Sequence, residues 1–139
     1  MKRKTKLTAV LTTAAVLAAG ASMTSLAAGW ERDDSGVWHY YDRDGEMAVN
    51  EWRKDGSEWF YLGDDGDMVT MSWVDDSFVN ERGARLVNSW IKVPSSDDVD
   101  DPGEDDISWY YFNSRGVKLT DTSKRINGKT YYFDEDGKM

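Results

Sequence analysis

The side chains here that can do chemistry are rings. The 139 residues include seven Trp, seven Tyr and four Phe, against one His and no Cys. The rings fall in blocks: Trp38-His39-Tyr40-Tyr41, Trp59-Phe60-Tyr61-Leu62, Trp109-Tyr110-Tyr111-Phe112 and Thr130-Tyr131-Tyr132-Phe133. Trp30, Trp52, Trp73 and Trp90 stand ahead of successive blocks. The electron-rich face of an indole or phenol attracts a cation, at about 0.5–2 kcal/mol per face. Two or three such faces can therefore hold an organic cation that has no hydrogen bonds to offer. Met47 and Met68 follow the first two blocks and can close a box of rings from the side.

Other chemistry has thinner support. A single histidine and no cysteine exclude Cys/His nucleophilic pairs and His-based metal sites. Asp42-Arg43-Asp44-Gly45 and Asp134-Glu135-Asp136-Gly137 look like the opening of a calcium loop, but the first has Arg53 where the twelfth-position Glu should stand. Both read better as turns. Carboxylates are plentiful, yet the ring blocks and their turns use up the chain and leave nothing to build a pocket around a reacting group. No catalytic residue, metal ligand or cofactor is expected, and the chain reads as non-enzymatic.

The elements that must position the rings follow from their spacing. Aligned on Gly45, Gly66, Gly83, Gly116 and Gly137, the chain repeats about every 20 residues. Seven residues before each glycine stand Trp38, Trp59, Asp76, Trp109 and Thr130. Two further on stand Tyr40, Tyr61, Phe78, Tyr111 and Tyr132, aromatic in every copy. The next column, Tyr41, Leu62, Val79, Phe112 and Phe133, is apolar throughout and suits a core. Aromatic residues favour strands, and alternation puts Trp38 and Tyr40 on one face and His39 and Tyr41 on the other. Asp44-Gly45, Asp65-Gly66 and Asp136-Gly137 are hairpin-type turn dipeptides. Asp55-Gly56 and Asn127-Gly128 mark a second set of turns, leading into the aromatic strands. Lone hairpins are marginal, but several in series can bury a shared spine. The expected fold is all-β, a β-hairpin solenoid of about five repeats: 29–51, 52–72, 73–89, 90–122 and an incomplete 123–139. The third repeat is short, with Trp73 only three residues from Asp76, so a turn is missing. The fourth carries an acidic insert, 94–106, read as a flexible loop.

Composition sets the surroundings. Lys2, Arg3, Lys4 and Lys6, then an apolar run from Leu7 to Ala19, then Ser25-Leu26-Ala27, predict a cleavable signal peptide over 1–28, with a secreted domain over 29–139. The apolar run is too short to span a bilayer, so no membrane insertion is expected after cleavage. Removing 1–28 takes four of the 17 basic residues and none of the 26 acidic ones, which moves the formal net charge from -9 to -13. So acidic a surface repels nucleic acid and anionic lipid and suits a cationic ligand. Without cysteine there are no disulfide staples, and stability rests on burial of the rings.

The repeat resembles the choline-binding (cell-wall-binding) repeat of Gram-positive surface proteins. The resemblance rests on Gly29-Trp30, on Trp38-His39-Tyr40-Tyr41 with Gly45 and Met47, on Trp59-Phe60-Tyr61-Leu62 with Gly66, Met68 and Trp73, on Trp109-Tyr110-Tyr111-Phe112, and on Ile126-Asn127-Gly128-Lys129-Thr130-Tyr131-Tyr132-Phe133. It spans residues 29–139. It implies a left-handed hairpin solenoid that holds choline of teichoic or lipoteichoic acid in aromatic cages between successive hairpins, and a secreted, cell-wall-associated protein. By the family pattern a cage takes two rings from one hairpin and one from its neighbour. That pattern implies a cage of Trp30, Trp38 and Tyr61 with Met47, a second built on Trp52, Trp59 and Met68, and a third of Trp90, Trp109 and Tyr132. Two other readings keep the residues and change the role. Similar repeats occur in glucan- and glycan-binding proteins, whose sugars stack on the same rings. A structural spacer or adhesin would instead use the acidic insert for protein contacts. The oligomeric state has no sequence signature.

Overall fold

The computed structural model describes residues 29–97, 103 and 106–139. The expected signal peptide, 1–28, and most of the acidic insert lie outside the described residues. Among the described residues all ten elements are strands, paired in sequence order into five two-stranded antiparallel hairpins. β1 (Trp30–Arg32) pairs with β2 (Trp38–Tyr40), and β3 (Glu51–Asp55) with β4 (Glu58–Leu62). β5 (Ser72–Val74) pairs with β6 (Ser77–Val79), β7 (Ser89–Pro94) with β8 (Ile107–Phe112), and β9 (Thr122–Ile126) with β10 (Lys129–Phe133). The chain divides into two compact units, one ending at Val69 with the first two hairpins and one starting at Thr70 with the other three.

The two sets of turns do not play the roles expected from the dipeptides. The ladders close at the second set. Asp55 faces Glu58 across Gly56-Ser57, and Ile126 faces Lys129 across Asn127-Gly128. Asn127 and Gly128 both take positive φ, 52° and 85°, which the type I′ hairpin turn requires. The glycine column instead closes a short return after the second strand. There a single bridge, Tyr41 to Met47, Leu62 to Met68, Val79 to Arg85 or Phe112 to Lys118, pins the chain before the next hairpin. In four of the five returns a residue three before the glycine organises the turn; the second has Gly63 there, and Asp65 accepts the Asp67 N–H instead. The Oδ1 of Asp42, Asn80, Asn113 or Asp134 accepts two backbone N–H groups of its own turn at 2.8–3.1 Å. This side-chain-closed turn is the reason Asp and Asn recur in that column.

The third repeat does not lack a turn; its hairpin lacks rungs. β3 and β4 make five Cα pairs, whereas β5 and β6 make three and close at Asp75-Asp76. The pair at which Trp59 faces Lys54, and Trp109 faces Lys92, has no equivalent there. Asp76 occupies the tryptophan column because that column has become loop. In the fourth hairpin the ladder runs on to Pro94 facing Ile107, so the acidic insert begins as an extension of the strands. Its root is tied down: Trp73 donates its indole N–H to the Pro94 carbonyl at 2.9 Å and its backbone N–H to the Asp97 carboxylate at 3.1 Å.

Four of the five residues of the expected apolar column are buried, and Tyr41 is half-buried. Leu62, Val79 and Phe112 are fully covered, and Phe133 nearly so. In the second unit Phe78, Tyr110 and Phe112 form a core cluster with Trp73, Leu86, Ile91 and Val93 packed on it.

Candidate functional site

Alternation along each hairpin gives two faces. One carries the leading tryptophan with its cross-strand partner: Trp30 with Tyr40, Trp52 with Tyr61, Trp73 with Phe78 and Trp90 with Tyr111, at ring centroid distances of 5.1–5.3 Å. Two pairs further out, the same face carries Trp38, Trp59 or Trp109. The opposite face carries Phe60, Tyr110 or Tyr131, together with the buried column. Within each unit the first face of one hairpin meets the opposite face of the next. Trp30 packs on Phe60 at 5.6 Å, Trp73 on Tyr110 at 4.9 Å, and Trp90 on Tyr131 at 4.9 Å. Two backbone bonds lock this order in the second unit, Lys118 N–H to the Asp76 carbonyl and Met139 N–H to the Trp109 carbonyl. Met68 N–H to the Trp38 carbonyl does the same in the first.

Two of the expected third rings therefore do not meet the tryptophans they were paired with. Tyr61 sits on the face of Trp52, and the ring that reaches Trp30 is Phe60. Tyr132 is 72% exposed across from Ser123, and the ring that reaches Trp90 is Tyr131. The reason is parity. A residue two places along a strand returns to the same face, and only residues an odd number of places away look back at the preceding hairpin. The signal was in the sequence, as the column His39, Phe60, Tyr110 and Tyr131 directly after Trp38, Trp59, Trp109 and Thr130.

The expected residues are thus placed in different ways. Trp30 is 7% exposed, so it offers a ligand little open ring. Trp38, Trp52, Trp59 and Met68 are half-buried. Met47 lies with its thioether over Gly66 of the following return turn, where an added Cβ would come within 2.5 Å of its terminal methyl. Trp90 and Trp109 do come together: their centroids are 6.1 Å apart at 89°, and Trp109 is 41% exposed. Tyr131 meets Trp90 at 71° and Phe133 lies 5.8 Å from it, so rings of two hairpins form a corner with Trp109 as its exposed wall.

Charges gather around the rings. Arg53 lies 4.7 Å from the centroid of Tyr40, held by its ion pair with Glu51. Lys54 lies over Trp59, Arg32 over Trp38, and Lys129 over Tyr131, all at 5.5–5.9 Å. Burial, then the negative fields of Asp134 and Asp136, push the Tyr110 hydroxyl above its usual pKa. Those two carboxylates favour positive charge in the same neighbourhood.

His39 fills the ring column of the first hairpin and acts as a clasp. Its Nδ1 lies 2.8 Å from the Gly66 carbonyl and its Nε2 2.9 Å from the Asp33 carboxylate. Both partners are acceptors. Burial raises the Asp33 pKa, but the bonds from His39 and from the backbone N–H groups of Val37 and Ser35 outweigh it and leave it below the usual carboxylate value.

Comparison with known proteins meets the same pattern. The cell wall binding repeat model matches residues 28–47 and 50–68, and the choline-binding repeat model matches 104–139. This chain belongs to the choline-binding, cell-wall-binding repeat family. Among curated proteins, glucosyltransferase-S of Streptococcus mutans is 34% identical over 77% of the chain. Among solved structures, the modular autolysin LytC of Streptococcus pneumoniae, in complex with a synthetic peptidoglycan ligand, is 28% identical over 79% of the chain, with a TM-score of 0.66. CbpJ of Streptococcus pneumoniae is 25% identical over 81%, with a TM-score of 0.52. The choline-binding repeats described here span 7% of the glucosyltransferase, 23% of LytC and 34% of CbpJ.

Proposed function

We propose that residues 29–139 form a non-catalytic wall-binding module that takes up quaternary ammonium groups, choline on teichoic or lipoteichoic acid, in corners of aromatic rings. The observation that carries this is the Trp90, Trp109 and Tyr131 corner, with Trp109 open to solvent and set at right angles to Trp90. A trimethylammonium group has no N–H to donate, so ring faces rather than carboxylates alone are what retain it. Trp52, on the matching face, is the next candidate; Trp38 and Trp59 already carry Arg32 and Lys54 over their rings. The basic and apolar start, 1–28, fits export to the wall where such polymers lie.

Free choline should quench or shift tryptophan fluorescence in a saturable way. Trp109→Ala should weaken that response about tenfold, which corresponds to loss of one ring face worth about 1.4 kcal/mol. No response from the intact protein up to tens of millimolar choline would remove this reading. A glycan reading is favoured by the likeness to a glucosyltransferase. Retention on dextran that free choline does not release would decide for it.

A further inference from the structure

We propose that Lys118 occupies the ring corner between the third and fourth hairpins with the protein's own ammonium, and so withholds that corner from ligand. The inference rests on the reading of such corners as ammonium sites. The rings are Trp73 and Tyr110, at 4.9 Å and 84°, an edge-to-face relation like the 4.9 Å and 71° of Trp90 and Tyr131. Lys118 Nζ lies 5.1 Å from the centroid of Trp73 and 5.9 Å from that of Tyr110. The neighbouring corner has Lys129 over Tyr131 at 5.5 Å and Trp109 as a third wall, whereas here Lys118 lies over both rings and the shortened β5–β6 loop stands where Trp109 would be.

Several features hold the lysine there. Its backbone N–H bonds the Asp76 carbonyl at 2.9 Å. Its stem runs over Gly137, where an added Cβ would meet Lys118 Cδ at 3.0 Å. The rings are fixed as well, since Trp73 is anchored through Pro94 and Asp97 and Tyr110 is buried in the core cluster. Lys118 is therefore the part of this corner that can give way. A tethered ammonium has a high effective concentration at its own rings, so free ligand that fills the Trp90 corner does not displace it. In sequence Lys118 stands in the bridge column of Met47 and Met68. Lys118→Met removes the charge, keeps a stem over Gly137, and restores the residue type of the first two repeats.

The test is choline titration of the full chain followed by the tryptophan indole N–H resonances. In the unaltered protein choline should move the Trp90 and Trp109 resonances and leave Trp73 in place. In Lys118→Met the Trp73 resonance should move too, and calorimetry should count one more bound choline. Movement of Trp73 in the unaltered protein at the same concentration, or its failure to move in the variant, overturns the proposal; movement of Trp90 and Trp109 in that same titration leaves the proposed function standing. A second readout needs no ligand. The Lys118 ε-methylene protons should be shifted upfield by the rings, and Trp73→Leu should abolish the shift. Random-coil positions would sink the proposal; an upfield shift without any choline response at Trp90 and Trp109 would sustain the lysine's place and remove the proposed function instead.

Discussion

Met71 has φ of 45°, a left-handed conformation, and its side chain is 54% exposed. The corresponding positions in the second, fourth and fifth hairpins, two residues before the leading position, are Asn50, Asn88 and Asp121, all with positive φ. Gly tolerates this region without a Cβ penalty, and Asn and Asp are enriched in it, whereas Met is not. Met71→Asn should therefore raise stability by about 1 kcal/mol, visible as a higher thermal midpoint by circular dichroism. An unchanged or lower midpoint would mean that the Met71 side chain contributes packing that its exposure does not suggest. The same scale separates ring roles that look alike in sequence. Trp30 and Trp109 are both tryptophans of the repeat, yet one is core and the other open. Burial depends on what the next hairpin places on the ring, so residue type could not distinguish them.

At the scale of the hairpin, the return turn carries the contact between repeats. Gly45 and Gly66 have the same backbone, φ 84° and 85°, in equivalent turns. Nothing lies within 4 Å of a Cβ added at Gly45, while one at Gly66 meets Met47 at 2.5 Å. Gly45→Ala should lose about 1 kcal/mol from the backbone alone. Gly66→Ala should lose more, and the excess should vanish when Met47→Ala is added, a coupling that denaturant melts of the double-mutant cycle would measure. Equal losses in both single variants would show that Met47 simply swings aside. Hairpin existence, strand positions and the buried column were readable from period and alternation. The roles of the two turn sets were not, because Asp-Gly favours a turn without saying which strands it joins. The Asp/Asn column that closes the returns was visible in the alignment, but its meaning depends on backbone N–H groups that only the folded turn brings within reach.

For the whole molecule, the proposal of several ring corners on one acidic chain predicts avidity. A polymer bearing many choline groups should bind about a hundredfold or more tighter than free choline, provided two corners engage at once. Equal affinity per choline group for polymer and free ligand, measured by calorimetry, would mean one working site. The amino-acid sequence by itself determined the strands, the repeat, the acidic character and the residue types able to hold a cation, since these follow from local propensity, period and charge. Tertiary structure decided which ring faces which neighbour, that Trp30 is enclosed, and that Lys118 reaches Trp73 and Tyr110. Alternation assigns a side chain to one face of its own hairpin, whereas the partner of that face is set by how the following hairpin docks, and docking is a property of backbone bonds and packing between segments far apart in the chain.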